Sequence, residues 1–305
     1  MKVIVVGSAN MDLVVRADRA PRAGETVVGE DFTLAPGGKG ANQAVAAARL
    51  GAEVVFIARV GDDDFGRRNL ENYRREGIDT SHITVDPEAP SGVALIVVER
   101  GGENRIVVVP GANGRLRPDD VVRAGDAFAG AAALLVQLEV PLDTVEAALR
   151  LARERGLTTI LNPAPARPLP EGLLELVDIL TPNETELLSI AGEGASDPGG
   201  IPALARRLLA RGPGHVIVTL GERGALVVSH DGETHVPSFP VEAVDTTAAG
   251  DAFSGALAVA LAEGMEMEAA VRFACAAGAL ATTVLGAQPS LPRRERVEAL
   301  LRGTR

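Results

Sequence analysis

The chain has 305 residues, 46% apolar and 23% charged, with one cysteine and no tryptophan, so it can bury a full core without disulfides and reads as an intracellular, cytoplasmic globular protein. Its 41 acidic and 30 basic residues leave a net charge of −11, which excludes a broad nucleic-acid or anionic-membrane surface because both need a positive field. A single phosphate can still be held locally by backbone dipoles.

The first residues carry one basic and five apolar side chains before Gly7, Ser8, Asn10 and Asp12 interrupt, too short a run for a signal-peptide core. Residues 3–6 and 54–60 read as buried strands, separated by a glycine turn at 37–40 and an alanine-rich helix over 41–50 that Gly51 stops. Residues 12–34 lack helical periodicity, and 93–99 and 105–109 flank a Gly101-Gly102-Glu103-Asn104 turn as in a β-hairpin, so these segments together predict a small β flap beside the main sheet. Further strands are expected at 132–138, 158–161, 177–180 and 215–220, with helices at about 143–155, 184–191 and 202–211; the continuous apolar character of the strands suggests cover on both faces. A second hairpin pairs 225–229 with 234–236 through Asp231-Gly232, and helices follow at 251–262, through the next apolar stretch, and near 293–301. The uncharged stretch 273–292 holds Gly278, Thr282, Thr283, Gln288, Pro289 and Ser290, which suit a buried helix and loop better than lipid; Cys275 inside it reads as a small core residue.

Several motifs carry chemistry. Asp245-Thr246-Thr247-Ala248-Ala249-Gly250-Asp251 introduces an apolar helix, and small residues at a helix start let unpaired N–H groups approach an anion. Asp251 there either caps the helix or accepts a proton from a hydroxyl whose phosphoryl acceptor role the neighbouring amides support. Gly37-Gly38-Lys39-Gly40-Ala41-Asn42 sits between strand-like and helical sequence, where α/β proteins bind ligands, and is either a plain glycine turn or a cradle for a polyol. It is no Walker A loop, since Thr33 holds the first glycine position and Gly40 replaces Ser/Thr, and the first strand lacks a dinucleotide fingerprint. Asn10 and Asp12 share one side of an extended chain, Glu139 ends an apolar strand, and Asn183 and Glu186 stand on one face of a helix start; each is a ligand group or a solvated, capping or strand-end residue. His82, His215, His230 and His235 show no zinc-ligand spacing.

The joint occurrence, in order and far apart, of Gly37-Gly38-Lys39-Gly40-Ala41-Asn42-Gln43 and Asp245-Thr246-Thr247-Ala248-Ala249-Gly250-Asp251-Ala252-Phe253-Ser254-Gly255 resembles the two signatures of the ribokinase-like sugar and nucleoside kinases. The resemblance extends through Gly7–Asp12, Gln137–Glu139, Leu161–Ala166, Thr181–Glu186, Thr219–Gly224 and Gly286–Ser290, essentially the whole chain. It implies a single α/β domain over 1–305, a three-layer sandwich with a central, mostly parallel sheet, and a small β lid from about 12–34 and 90–109 that covers a sugar and joins a homodimer. It implies transfer of the ATP γ-phosphate to the 5-hydroxyl of D-ribose, with Asp251 as base and the amides of Ala248, Ala249, Gly250 and Asp251 as anion hole. Asn10, Asp12, Gly38, Lys39, Asn42 and Glu139 then hold ribose; Asn183, Thr219, Gly221, Gly224, Gly250 and Cys275 border the nucleotide; Glu186 organises hydrated Mg²⁺; and Asp245, Thr247, Ala281, Val284, Gly286 and Ser290 surround K⁺. Relatives often place Asn or His at the position of Cys275. A deoxyribose or fructose kinase is the nearest alternative, and a non-catalytic sugar-binding regulator on the same fold a further one. One tyrosine and seven phenylalanines leave little aromatic platform for a nucleoside acceptor.

Overall fold

The computed structural model describes residues 1–101, 103–192 and 199–303; Gly102 of the expected 101–104 turn lies outside them. In chain order the strands are β1 (Lys2–Val6), β2 (Asn10–Ala17), β3 (Asp31–Gly37), β4 (Glu53–Gly61), β5 (Ile83–Asp86), β6 (Gly92–Glu99), β7 (Asn104–Val109), β8 (Ala131–Val136), β9 (Thr158–Leu161), β10 (Ile179–Leu180), β11 (His215–Thr219), β12 (Ala225–Ser229) and β13 (Gly232–Val236). The helices are α1 (Lys39–Arg49), α2 (Asp64–Arg75), α3 (Pro118–Arg123), α4 (Leu142–Glu154), α5 (Glu184–Ala191), α6 (Gly200–Leu209), α7 (Ala249–Ala262), α8 (Met267–Ala281), α9 (Ala287–Ser290) and α10 (Arg294–Gly303).

Successive side chains of a strand point to opposite faces, so a run such as Val3-Ile4-Val5-Val6 is stable only with apolar cover on both. All four are fully buried: Val3 and Val5 join Phe56, Leu135, Ile160 and Ile217 against α1, α7 and α8, while Ile4 and Val6 join Ile57, Val136, Leu161 and Val218 against α4 and α6. Fully burying each such side chain contributes about 1.5–3 kcal/mol, which fixes the layers in place. The resulting nine-stranded sheet runs β13-β12-β11-β10-β9-β8-β1-β4-β5, parallel from β11 through β5, with β12 and β13 added antiparallel at one edge. No helix among the described residues is long and apolar enough to cross a membrane, and 273–292 divides into the end of α8, a turn and the one-turn α9.

A second, four-stranded sheet, β3-β2-β6-β7, is built from the two segments that lack helical periodicity. Here β2 pairs antiparallel with β3 and parallel with β6, and β6 pairs antiparallel with β7. Residues 18–30 run between β2 and β3 outside both strands. The helix α2 has no counterpart in the sequence pattern because its buried residues, Gly66, Asn69 and Tyr73, are not an apolar stripe. Asp63 caps it by accepting from the Gly66 amide at 2.8 Å.

One close approach positions the chemistry. A Cβ at Gly255 of α7 would lie 2.8 Å from the Ala46 Cβ and 2.9 Å from the Gln43 carbonyl of α1, so only glycine lets the two helices come this near. That contact sets the first turn of α1 beside the first turn of α7, and the two sequence motifs meet.

Candidate active site

The carboxyl ends of the central parallel strands open onto the motifs, as expected of a doubly covered sheet. Asp251 is buried in the first turn of α7. Its Oδ2 accepts from the Asn42 side-chain amide at 2.9 Å and its Oδ1 from the Gln43 amide at 3.0 Å. The cap position belongs to Ala248, which has no side-chain cap bond, so the Asp251 carboxylate serves α1 rather than its own helix end. Burial pushes Asp251 up from the ordinary carboxylate range, opposed by the Lys39 charge and the two amides.

Ala248 has φ 60 and ψ 9, the one positive-φ non-glycine among the described residues. A left-handed alanine costs about 1–2 kcal/mol, and here it turns the chain so that the first N–H groups of α7 open the helix without intrahelical acceptors. A Cβ on Gly250 would meet nothing within 4 Å, so the backbone at this point faces open space. The space is a cleft of about 180 Å³ lined by Lys39, Asn162, Ala164, Thr181, Asn183, Glu186, Thr219, Thr246, Ala248, Gly250, Asp251 and Ser254.

Lys39 begins α1 after Gly38, whose φ of 90 and whose missing Cβ, 2.8 Å from the Asn10 amide, both require glycine. Burial works against the Lys39 charge, but Asp251, Glu139 and Glu186 outweigh it and hold the ammonium more firmly protonated. Glu139 accepts from the Ser8 hydroxyl at 2.5 Å and from the Lys39 backbone amide at 3.1 Å, drawing the ends of β1 and β8 to the start of α1. Asp12 is buried on β2, and burial, then Glu139 and Asp251, pushes it up to about 7. Asn10 is buried beside it, its Oδ1 accepting from Asn113 at 2.7 Å.

At the other wall, Asn183 and Glu186 form a reciprocal capping box at the start of α5: Glu186 N–H donates to Asn183 Oδ1 at 2.8 Å, and Asn183 N–H to the Glu186 carboxylate at 2.9 Å. Both also line the cleft, so the capping box stands on its wall. Thr219 ends β11 and lines the cleft too; Gly221 and Gly224 make the tight turn after it, with φ values of 60 and 95. Cys275 is buried on α8 in the apolar layer and is not among the residues lining the cleft; burial pushes its thiol up to about 12.

Among the described residues no group of three or more His, Cys, Asp and Glu side chains is arranged to hold a metal. Glu186 lines the cleft beside Asn183, which fits a divalent ion carried mostly by waters and phosphates. Of the residues expected around K⁺, Asp245, Thr247 and Gly286 are brought together: the Asp245 carboxylate accepts from the Thr247 amide at 2.9 Å, its hydroxyl at 2.6 Å and the Gly286 amide at 2.8 Å. Burial alone would raise Asp245, yet these bonds hold it below its ordinary value. Ala281 ends α8, Val284 lies in the turn after it, and Ser290 closes α9, its hydroxyl donating to the Ala287 carbonyl at 2.7 Å.

Several residues of the site carry no individual signal in the sequence. Gln43 links three elements, donating to Asn162 at 3.1 Å and accepting from Gln137 at 2.6 Å in addition to its bond to Asp251. Asn162 in turn donates to the Thr181 carbonyl at 2.9 Å. Their signals are membership in the matched motifs and position, because Gln137 and Asn162 directly follow the carboxyl ends of β8 and β9.

Comparison with known proteins agrees over nearly the whole chain. The profile of the pfkB family carbohydrate kinases matches residues 1–294. A ribokinase of Bacillus subtilis is 43% identical over 299 residues, 98% of this chain and 99% of its own length. A deoxyribokinase of Salmonella typhimurium is 40% identical over 302 residues, 99% of each chain. The structure of Arabidopsis thaliana ribokinase complexed with ribose and ATP superposes with a TM-score of 0.89 at 33% identity, covering 98% of both chains. A buried aspartate at a helix start, a lysine-bearing glycine turn against it and this likeness along the full length together show that the chain belongs to the pfkB family of carbohydrate kinases.

Proposed function

We propose that the chain transfers the γ-phosphoryl group of ATP to the 5-hydroxyl of D-ribose, giving D-ribose 5-phosphate and ADP. The observation that carries this reading is the Asp251 carboxylate, buried, held by Asn42 and Gln43, and open to a cleft it shares with Lys39 and the start of α7. The sugar hydroxyl oxygen bonds to the γ-phosphorus as the bond to the β,γ-bridging oxygen breaks; the hydroxyl proton passes to Asp251, and ADP leaves. Burial raises the proton affinity of Asp251, which suits a base, and the amides of Ala248, Ala249, Gly250 and Asp251 are assigned to the charge of the transferred group, the Ala249 amide donating to the Thr246 carbonyl at 3.3 Å.

In this reading Asn10, Asp12, Gly38, Lys39, Asn42 and Glu139 receive the ribose hydroxyls; the buried Asn42 Oδ1 has no hydrogen-bond partner among the described residues and is open to accept one. Asn183, Thr219, Gly221, Gly224 and Gly250 border the nucleotide; the same reading assigns Cys275 to its base, although the thiol is buried on α8 and outside the cleft lining. Mg²⁺ near Glu186 would offset phosphate charge, and K⁺ among Asp245, Thr247, Ala281, Val284, Gly286 and Ser290 would steady the loop that leads to the anion hole. The four-stranded sheet acts as the lid of a single unit spanning the chain. Its exposed Phe32, Leu95, Val107 and Val109 share one face of the sheet and form an apolar surface that suits a homodimer through the lid. Use of ATP implies a cytoplasmic setting.

The deoxyribokinase relative keeps 2-deoxyribose as a second reading of the acceptor. The test is ADP release from MgATP with ribose, 2-deoxyribose, fructose and adenosine, each with and without K⁺. Selective turnover of ribose is the expected result; preference for 2-deoxyribose would replace the acceptor and keep the chemistry, and binding of ribose without turnover would overturn the kinase reading.

A further inference from the structure

Arg49, the last residue of α1, ties together three parts of the chain that lie far apart in sequence. Its Nε and one terminal nitrogen donate to the Glu76 carboxylate at 3.0 and 2.7 Å, and its other terminal nitrogen donates to the carbonyls of Gln288 and Leu291 at 2.7 and 2.8 Å. Both partners of the ion pair are only 15% exposed, so the fork is largely withdrawn from water and its geometry is one that a lysine does not reproduce. A second tie runs beside it: the Asn72 side chain donates to Gln288 Oε1 at 2.7 Å. At its other end the same segment donates from the Gly286 amide to Asp245 at 2.8 Å, and Asp245 holds Thr247, one residue before the left-handed Ala248. Residues 286–291 are therefore held between the ends of α1 and α2 on one side and the loop leading into α7 on the other.

We propose that Arg49 is a positioning residue for the monovalent-cation site: by fixing the carbonyls on either side of Ser290 it keeps Gly286 and Ser290 in register with Asp245. This rests on the cation reading of the Asp245 loop. Glu76 holds the guanidinium in its plane, and Asn72 keeps the Gln288 side chain from turning away. The helix that presents Asn42 and Gln43 to the base at its first turn thus steadies, through its last residue, the loop that presents the anion hole.

The test is the rise in Tm of the nucleotide-free protein with KCl, at constant ionic strength maintained by choline chloride, for the wild type, Arg49→Lys, Glu76→Gln and Asn72→Ala, with kcat and the ribose KM measured alongside. A positioning role moves the potassium midpoint of Arg49→Lys upward by roughly tenfold, with smaller shifts for Glu76→Gln and Asn72→Ala and a ribose KM within about twofold. An unchanged midpoint in the folded variants, against a clear response in the wild type, overturns the role of Arg49 alone. No potassium response in the wild type overturns the cation reading itself and the proposal with it. If Arg49→Lys does not fold, Glu76→Gln and Asn72→Ala decide the outcome.

Discussion

Asp245 lies in the loop that leads into α7 and Asp251 in the first turn of that helix, and the two shift in opposite directions. Asp245, half-buried, meets the hydroxyl and amide of Thr247 and the amide of Gly286, and these donors override burial to keep it below the ordinary carboxylate range. Asp251, buried, meets side-chain amides from another helix, and there burial prevails over Lys39, Asn42 and Gln43 to push it up. The difference comes from the depth of burial and the number of donors, not the residue type, and it accords with the proposed assignment of Asp251 as the base. The left-handed Ala248 between them separates the two environments.

Replacing either carboxylate separates their roles. Asp251→Asn should lower kcat by about 10³-fold or more while ribose affinity changes little, seen by pairing steady-state kinetics with calorimetric titration of ribose. Asp245→Asn weakens the turn rather than the base; kcat should fall by roughly 10- to 100-fold, and potassium should no longer raise the rate or the Tm. Gly250→Ala probes the open space between them: with nothing within 4 Å of the new methyl group the Tm should hold, whereas kcat should drop by roughly tenfold as the methyl crowds the transferred group.

The smallest effect concerns a third aspartate. Asp12 stands at about 7 in the folded chain against an ordinary 3.8, so the folded state keeps a proton that the unfolded state has lost between those values. Its contribution is full below the lower value and is lost as pH rises through about 7. Asp12→Asn should therefore match the wild type near pH 4 and exceed it by about 1–3 kcal/mol at pH 8, measured by denaturant unfolding without sugar. A constant difference across that range would remove the assigned charge state.

The layers were legible in the sequence because runs such as Val3–Val6 and the alanines of α1 must be covered on both sides or one. The helix α2 was not, since its buried face is Gly66, Asn69 and Tyr73. Asn183 and Glu186 could be read as caps or as ligand groups, and their capping box forms on the wall of the cleft. Lys39 and Asp251 announced themselves through their motifs. Gln43, Gln137 and Asn162 fell inside matched motifs but received no role, because their bonds join strand ends and helices across 94 to 208 residues of chain, and such long-range convergence leaves no local spacing to read.

The most direct measurement is single-turnover formation of ribose 5-phosphate, followed by rapid quench with enzyme in excess over ATP, for the wild type, Asp251→Asn and Asp245→Asn, each in potassium and in choline. The expected result is a fast, potassium-dependent burst in the wild type, no burst in Asp251→Asn under either salt, and a slow burst in Asp245→Asn that ignores potassium. A near-normal burst in Asp251→Asn, or identical behaviour of the two variants, would contradict the proposed division between base and anion.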